Sequence, residues 1–286
     1  MKDRAIRLLL QGGTGNQLMQ MIIARFAAQA LDKRLIVYQT LLGSFTRRLR
    51  GITLRESSRM ILESTTINKT PLHRWIHARM ARRLGIFDGL IISDKDLLAR
   101  DIEATISIKS DAMLIITHGT TPKAFKAIFK EFWRDIHSDL PKVQPRNCIG
   151  LHLRRGDYLN PASGFMSLPL GYYRRAIQRS FEQMPQLERR IVLFSDDPDW
   201  GQAHLSDSSW VLEIASGTPE EDLAGMAAMR ALVISNSSLS AIAAHLGESF
   251  GEMKLVICPD QWLSDPSRKV LGDLRKPSWV SLPIQP

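Results

Sequence analysis

Residues 6–17 read Ile-Arg-Leu-Leu-Leu-Gln-Gly-Gly-Thr-Gly-Asn-Gln, an apolar run that stops at a pair of glycines. From Asn16 onward, Leu18, Met19, Ile22, Ile23, Phe26, Ala27 and Ala30 recur at helical spacing. Leu35-Ile36-Val37-Tyr38 is then a second short apolar run. A buried strand, a glycine turn, a helix and another strand make a β-loop-α-β unit, the building block of a parallel sheet. That opening predicts an α/β protein.

The alternation continues along the chain. The stretch from Gln39 to Asp111 separates into no clear elements and is expected to hold helices and a basic surface. Met113 to Ile116 reads as a strand and Pro122 to Trp133 as a helix. A polar segment with two prolines, Asp139 to Arg146, reads as a linker. Beyond it, strands are expected at Cys148 to Leu153, Ile191 to Phe194, Trp210 to Ile214, Leu232 to Ser235 and Leu255 to Cys258. Helical patterns lie between them, at Leu170 to Met184, Glu220 to Met229 and Ser240 to Gly247. Two domains follow, residues 1–140 and 141–286, each a doubly wound parallel sheet with ligands outside the carboxyl ends of its strands.

Composition bounds the function. Of 286 residues, 44% are hydrophobic and 23% charged, which excludes a disordered or collagenous chain. No run reaches the roughly 18 apolar residues of a membrane span; Met19 to Leu31 is broken by Arg25 and Gln29. The opening Met-Lys-Asp-Arg has no long apolar segment behind it, so a secretory leader is not expected. Cys148 and Cys258 sit in apolar runs and read as buried thiols of a cytoplasmic protein, not a disulfide framework.

Charge is unevenly spread. Residues 1–140 hold 23 basic and 13 acidic side chains, while residues 141–286 hold 15 and 16. Ten of the basic residues lie between Arg47 and Arg83, against only Glu56 and Glu63. This stretch is either a solvated surface or a contact for something anionic, such as a phospholipid surface or a phosphorylated substrate. Nucleic acid is not expected: there is no zinc-finger spacing, RNA-binding strand signature or basic heptad region, and Tyr38, Phe45 and Trp75 are scattered.

Four segments carry candidate chemistry. In the first loop, Gly13 and Gly15 let a phosphate or sugar approach the backbone at a helix start. Asn16 and Gln17 add two amides able to bond hydroxyls. The glycine spacing is neither the dinucleotide fingerprint nor the P-loop, and a plain tight turn is the alternative. The second segment, His152-Leu-Arg-Arg-Gly-Asp-Tyr158, leaves a strand. Alternation puts His152 and Arg154 on one face, where Arg154 can grip a phosphate on two prongs. The alternative is a structural pair such as Arg155 with Asp157. In the third, Phe194-Ser-Asp-Asp-Pro-Asp-Trp200, Ser195 precedes Asp197-Pro198-Asp199, which reads as a helix start and not as a metal-binding acid pair. The fourth joins Glu220-Glu221-Asp222 with the hydroxyl-rich turn Asn236-Ser237-Ser238. Such a turn suits a diphosphate, unless Ser238 is only an N-cap.

Taken in order, Gly-Gly-x-Gly-Asn-Gln-Leu, His-x-Arg-Arg-Gly-Asp-Tyr, Phe-Ser-Asp-Asp with a following Trp, and Asn-Ser-Ser-x-Ser resemble the bacterial α-1,2-fucosyltransferases. The resemblance runs from Leu8 to about Trp262. It implies two Rossmann-like domains facing each other, the GT-B type of glycosyltransferase, with the acceptor on the N-terminal side and GDP-fucose on the C-terminal side. It further implies metal-free, inverting transfer of L-fucose from GDP-β-L-fucose to the 2-hydroxyl of a terminal galactose, and a place in surface polysaccharide synthesis on lipid-linked acceptors at the cytoplasmic membrane face. By resemblance, Arg154 matches the arginine that holds the β-phosphate, with His152 beside the nucleotide. Asn16 matches an asparagine near the reacting sugar. Ser237 and Ser238 fall on the phosphate turn, and Asp222 on the carboxylate that meets the guanine edge. Thr14, Met19, Ala241 and Ile242 depart from the family pattern, which bears on the acceptor more than on the donor.

The mechanism follows from the charges that develop. As the fucose–phosphate bond breaks, negative charge grows on GDP, and Arg154, helix N-termini and serine hydroxyls can hold it without Mg²⁺. Asp157 and His152 both have the chemistry of a base for the acceptor hydroxyl, and both can serve instead to orient Arg154. Two other classes remain open: a metal-dependent transferase of another nucleotide sugar using Asp197 and Asp199, and a non-catalytic nucleotide- or glycan-binding protein.

Overall fold

The computed structural model describes residues 5–10, 12–38, 60–63, 90–93, 112–115, 132, 140–265 and 274–284. The chain divides into two compact units, Met1–Asp139 with Leu271–Asp273, and Leu140–Val270 with Leu274–Pro286.

The N-terminal unit contains β1 (Ala5–Leu9), α1 (Thr14–Ala30), β2 (Arg34–Tyr38), β3 (Met60–Glu63), β4 (Leu90–Ser93) and β5 (Ala112–Ile115). The strands form one parallel sheet in the order β3-β2-β1-β5-β4. β1 is therefore central, which is why Ile6 and Leu8 are fully buried although Arg7 stands between them. β3 and β4 fall in the stretch whose sequence pattern separates no elements. Each is four residues long, too short to show a period, and is defined by pairing with a neighbour. The expected helix at 122–133 and the basic stretch Arg47–Arg83 lie outside the described residues, save for helical, buried Phe132 and strand β3.

The C-terminal unit contains β6 (Arg146–Leu153), α2 (Leu170–Gln183), β7 (Arg190–Ser195), α3 (Pro198–Leu205), β8 (Val211–Ile214), α4 (Pro219–Ala227), β9 (Met229–Val233), α5 (Ser238–Ser249), β10 (Leu255–Pro259) and β11 (Val280–Leu282). Its sheet runs β11-β10-β9-β6-β7-β8 with every pair parallel. Counted from β6 as the first strand, this is the 3-2-1-4-5-6 order of a doubly wound dinucleotide fold. The winding reverses between β6 and β9, which opens a crevice at the carboxyl ends of those strands.

Local sequence explains most of these elements. α2 buries Tyr172, Tyr173, Ala176, Ile177, Ser180 and Phe181, a stripe at helical spacing, and leaves Arg174, Gln178 and Glu182 outside. The Tyr172 hydroxyl, fully buried, donates to Ile234 O at 2.7 Å and so ties α2 to the end of β9. α4 starts at a full capping box, Thr218 with Glu221, and has Pro219 in its first turn. Its end comes at Ala227, and β9 begins at Met229, three residues before the expected Leu232. The run Ala227 to Ile234 suits helix or strand equally, and pairing of Ala231 with Ile149 on β6 decides it. β11 was not expected from the sequence; it extends the sheet edge by pairing with β10. Cys148 and Cys258 are buried free thiols, as read from the sequence. Among the described residues no helix is long and apolar enough to cross a membrane.

Candidate active site

The site in the C-terminal unit is built on β6, whose last six residues are buried between β9 and β7. At its carboxyl end, His152 is buried and its Nδ1 lies 2.7 Å from the hydroxyl of Ser235, just past β9. The contact spans the crevice where the winding reverses. Burial, with the nearby Arg154 charge adding to it, pushes the His152 imidazole down to about 3, so the ring is neutral at physiological pH.

Arg154 follows, half-buried on the rim. Its guanidinium meets Asp157 at 2.5 Å and Asp196 at 2.8 Å, and lies 5.4 Å from the ring centre of Tyr158. Arg155 points elsewhere: its Nε donates to Asp197 at 2.9 Å, and its guanidinium stacks over Trp200 at 4.0 Å. The pairing expected as the structural alternative, Arg155 with Asp157, does not form. Arg155 takes Asp197 and Arg154 takes Asp157.

Asp197 also caps α3 by accepting the Trp200 N–H at 3.3 Å, with Pro198 behind it. The helix-start reading of Asp197-Pro198-Asp199 is what the geometry shows, and the Arg155 partner occupies the Asp197 carboxylate. Among the described residues no three His, Cys, Asp or Glu side chains gather as a metal-holding group. Ser195 ends β7, and its hydroxyl accepts the Asp197 N–H at 2.9 Å, which shapes this turn.

Across the crevice stands the turn from β9 into α5. Asn236 is fully buried, and its side-chain amide donates to Met166 O at 3.0 Å and Trp262 O at 2.9 Å. The Tyr158 hydroxyl donates to the Asn236 carbonyl at 3.2 Å. Tyr158 stacks on Phe165 at 4.8 Å, and burial raises its phenol well above the ordinary tyrosine value. Asn236 thus knots the loops after β6, β9 and β10 together through its Nδ2, while its Oδ1 is buried without a hydrogen-bond partner among the described residues. The N-cap of α5 is Ser237, not Ser238, and its side chain makes no capping bond. Ser238 opens the helix beside it, half-buried. The start of α5, with Ser237 and Ser238, stands at the carboxyl edge of the sheet, the same edge that carries Arg154.

Asp222 sits in the first turn of α4, which starts from the carboxyl end of β8. Burial, reinforced by the neighbouring Glu221 charge and opposed by a hydrogen bond from the Gly217 backbone, raises its carboxyl to about 6.

Gly13, Gly15 and Asn16 belong to the N-terminal unit, at the carboxyl end of its central strand β1. Gly13 is the exposed N-cap of α1, while Gly15 is buried in the first turn. Gly12 has φ +76°, a conformation that favours glycine, and a β carbon there would come within 3.2 Å of the Asn16 amide. Asn16 is half-buried above that glycine. Gln17 is buried and donates to Gly12 O at 2.7 Å, so its amide closes the loop and is not offered to a ligand. Gln11 lies outside the described residues.

The family model described as Glycosyl transferase family 11 matches residues 123–283, more than half of the chain and nearly all of the unit that carries Arg154. The chain belongs to glycosyl transferase family 11. No curated protein matches it. Among solved structures, it is similar to the fucosyltransferase NodZ from Bradyrhizobium, with 12% identity, coverage of 94% of this chain and 98% of that one, and a TM-score of 0.52. A NodZ α-1,6-fucosyltransferase soaked with GDP-fucose gives 12% identity, 92% and 98% coverage and a TM-score of 0.54. POFUT1 in complex with GDP gives 11% identity, 90% and 98% coverage and a TM-score of 0.50. At such identities the likeness concerns fold, and the fold of this family 11 chain is GT-B, two Rossmann-like units in sequence.

Two residues in contact with Arg154, Asp196 and Tyr158, are given no role by the sequence reading. Neither carries a local signal, because Asp196 meets Arg154 from another strand and Tyr158 meets Asn236 from 78 positions away.

Proposed function

We propose that this glycosyltransferase moves L-fucose from GDP-β-L-fucose, with inversion, to the 2-hydroxyl of a terminal galactose in a glycan. The observation that carries the reading is Arg154 just past the carboxyl end of β6, the strand that neighbours β9, from which the chain turns into α5. A guanidinium and helix-start amides at one edge of the sheet suit a diphosphate. The structural neighbours support the donor: NodZ was soaked with GDP-fucose, and POFUT1 holds GDP. Asp222, a single carboxylate at the same end of the sheet, suits the two N–H donors of a guanine edge. Linkage to galactose rests on the sequence motifs alone, since the neighbours include α-1,6-fucosyltransferases.

In this reading Arg154, Ser237, Ser238 and the first-turn amides of α5 hold the charge that grows on departing GDP, without a metal. His152 is neutral, enclosed and bonded to Ser235, so it braces the floor beside Arg154 and is a poor base for the acceptor proton. Asp157, exposed on the rim, is the side chain left with the right chemistry. Asn16 would serve the sugar from the N-terminal unit, and the basic stretch from Arg47 to Arg83 would bring the enzyme to an anionic membrane face carrying a lipid-linked acceptor.

A donor panel tests the assignment. GDP-fucose, GDP-mannose, UDP-sugars and CMP-sialate are offered to β-galactoside acceptors, and product linkage is read by NMR. The expected product carries α-1,2-linked fucose, formed from GDP-fucose alone. Turnover with a UDP-sugar and none with GDP-fucose would refute the reading.

A further inference from the structure

Both prongs of Arg154 are already held by carboxylates of the chain itself. Nη2 donates to Asp157 Oδ1 at 2.5 Å, and Nη1 meets Asp196 Oδ2 at 2.8 Å. The two carboxylates are held very differently. Asp196 is one-quarter exposed, and its other oxygen accepts the Arg155 backbone N–H at 2.9 Å. Gly156 lies against it so closely that a β carbon there would come within 2.5 Å of Oδ2. Asp157 is 61% exposed and stands in the short 3-10 turn Gly156–Leu159, only three residues along the chain from its partner.

We propose that Asp157 is an internal stand-in for the donor's phosphate, and that Asp196 is the positioning residue that keeps Arg154 in place while the two anions exchange. The proposal rests on the donor reading above. An ion pair this exposed contributes little, at most about a fivefold bias in an equilibrium, so a phosphate can displace it. A phosphate offers several acceptor oxygens and more charge, and it reaches the guanidinium from the open side that Asp157 occupies. Asp196 stays because a second bond, to the Arg155 backbone, fixes it to the end of β6. Arg154 therefore loses little side-chain freedom when it grips the donor, and that preorganisation favours binding. Donor binding also releases the Asp157 carboxylate from its arginine, so that it becomes uncommitted only when a donor is present.

Calorimetric titration of the full chain with GDP, and with guanosine as the ligand lacking phosphate, separates the roles. Asp157→Asn removes the competing charge and should tighten GDP about two- to fivefold while leaving guanosine unchanged. Asp196→Asn should weaken GDP by about tenfold, again without change for guanosine. A general loss of structure would weaken both ligands alike, so equal loss for guanosine would overturn the positioning role. GDP bound no more tightly by Asp157→Asn than by wild type would overturn the stand-in role. Arg154→Ala is the control for the underlying reading: equal GDP affinity in that variant and in wild type would show that Arg154 is no phosphate ligand, and the exchange would fall with it.

Discussion

Replacing Asp222 by asparagine should make the protein more stable and worse at its task, and both effects can be worked from the structure. The carboxyl is raised from 3.8 to about 6, first by burial and then by the charge of Glu221. A carboxylate whose folded value lies above its unfolded value destabilises the fold when ionised. The cost is absent below about pH 4, grows as pH rises through the window to about 6, and is complete above it. Two pK units correspond to about 3 kcal/mol as an upper bound, and because Asp222 is only half-buried a gain of about 1–2 kcal/mol is expected. Asparagine keeps an oxygen for the Gly217 backbone and removes the charge. For a unit of this size that is a rise in Tm of roughly 2–8 °C at pH 7.5, shrinking to nothing as the pH approaches 4. GDP affinity moves the other way, because an amide cannot accept from both N–H donors of guanine, and a loss of about tenfold or more is expected. In wild type, GDP should weaken as pH falls through about 6 and Asp222 takes up its proton. Thermal melts at a series of pH values, with and without GDP, measure all of this. A variant less stable than wild type at pH 7.5, or one stabilised equally at pH 4, would refute the electrostatic reasoning. Unchanged GDP affinity would remove Asp222 from the guanine site.

Arg154→Lys and Arg154→Ala should both stay folded and both lose about 100-fold or more in kcat/KM, because lysine keeps the charge without the two-pronged grip; near-normal kcat in the lysine variant would end the phosphate-clamp assignment. Activity should be full in EDTA, and Asp197→Ala should cost about 1 kcal/mol of stability through the lost cap of α3, with no metal requirement appearing in either protein; rescue of a chelated, inactive enzyme by Mn²⁺ would favour a metal-using transferase instead.

Much of the architecture was legible in the chain because it rests on local physics. The glycine turn after β1, the apolar stripe of α2, the Thr-Pro-Glu-Glu start of α4 and the Asp-Pro start of α3 each declare themselves within a few residues. The Arg154 motif was legible for the same reason, as polar groups gathered at the end of a strand that reads as buried. Elements held by neighbours were not. β3, β4 and β11 are three or four residues long, and pairing alone makes them strands. Asn236 and Gln17 look like ligand-binding amides in the sequence, yet each faces main-chain carbonyls that folding brings to it.

The residue types at the site, and the strand end that presents them, were thus set by sequence alone. Which acid meets which arginine was set by the register of the sheet. β6 and β7 pair in parallel from Ile149 with Ile191 to Leu153 with Ser195. Carried one and two residues past the last pair, that register places Arg154 beside Asp196 and Arg155 beside Asp197, and both ion pairs form. The local alternative, Arg155 with Asp157, looks equally good on paper because nothing in the chain near residue 155 specifies the alignment of a strand some forty residues away. Burial of β6 and β7 in the core specifies it, since a slip of one residue would turn every apolar side chain to the wrong face. The core therefore decides how the charges on the rim are paired.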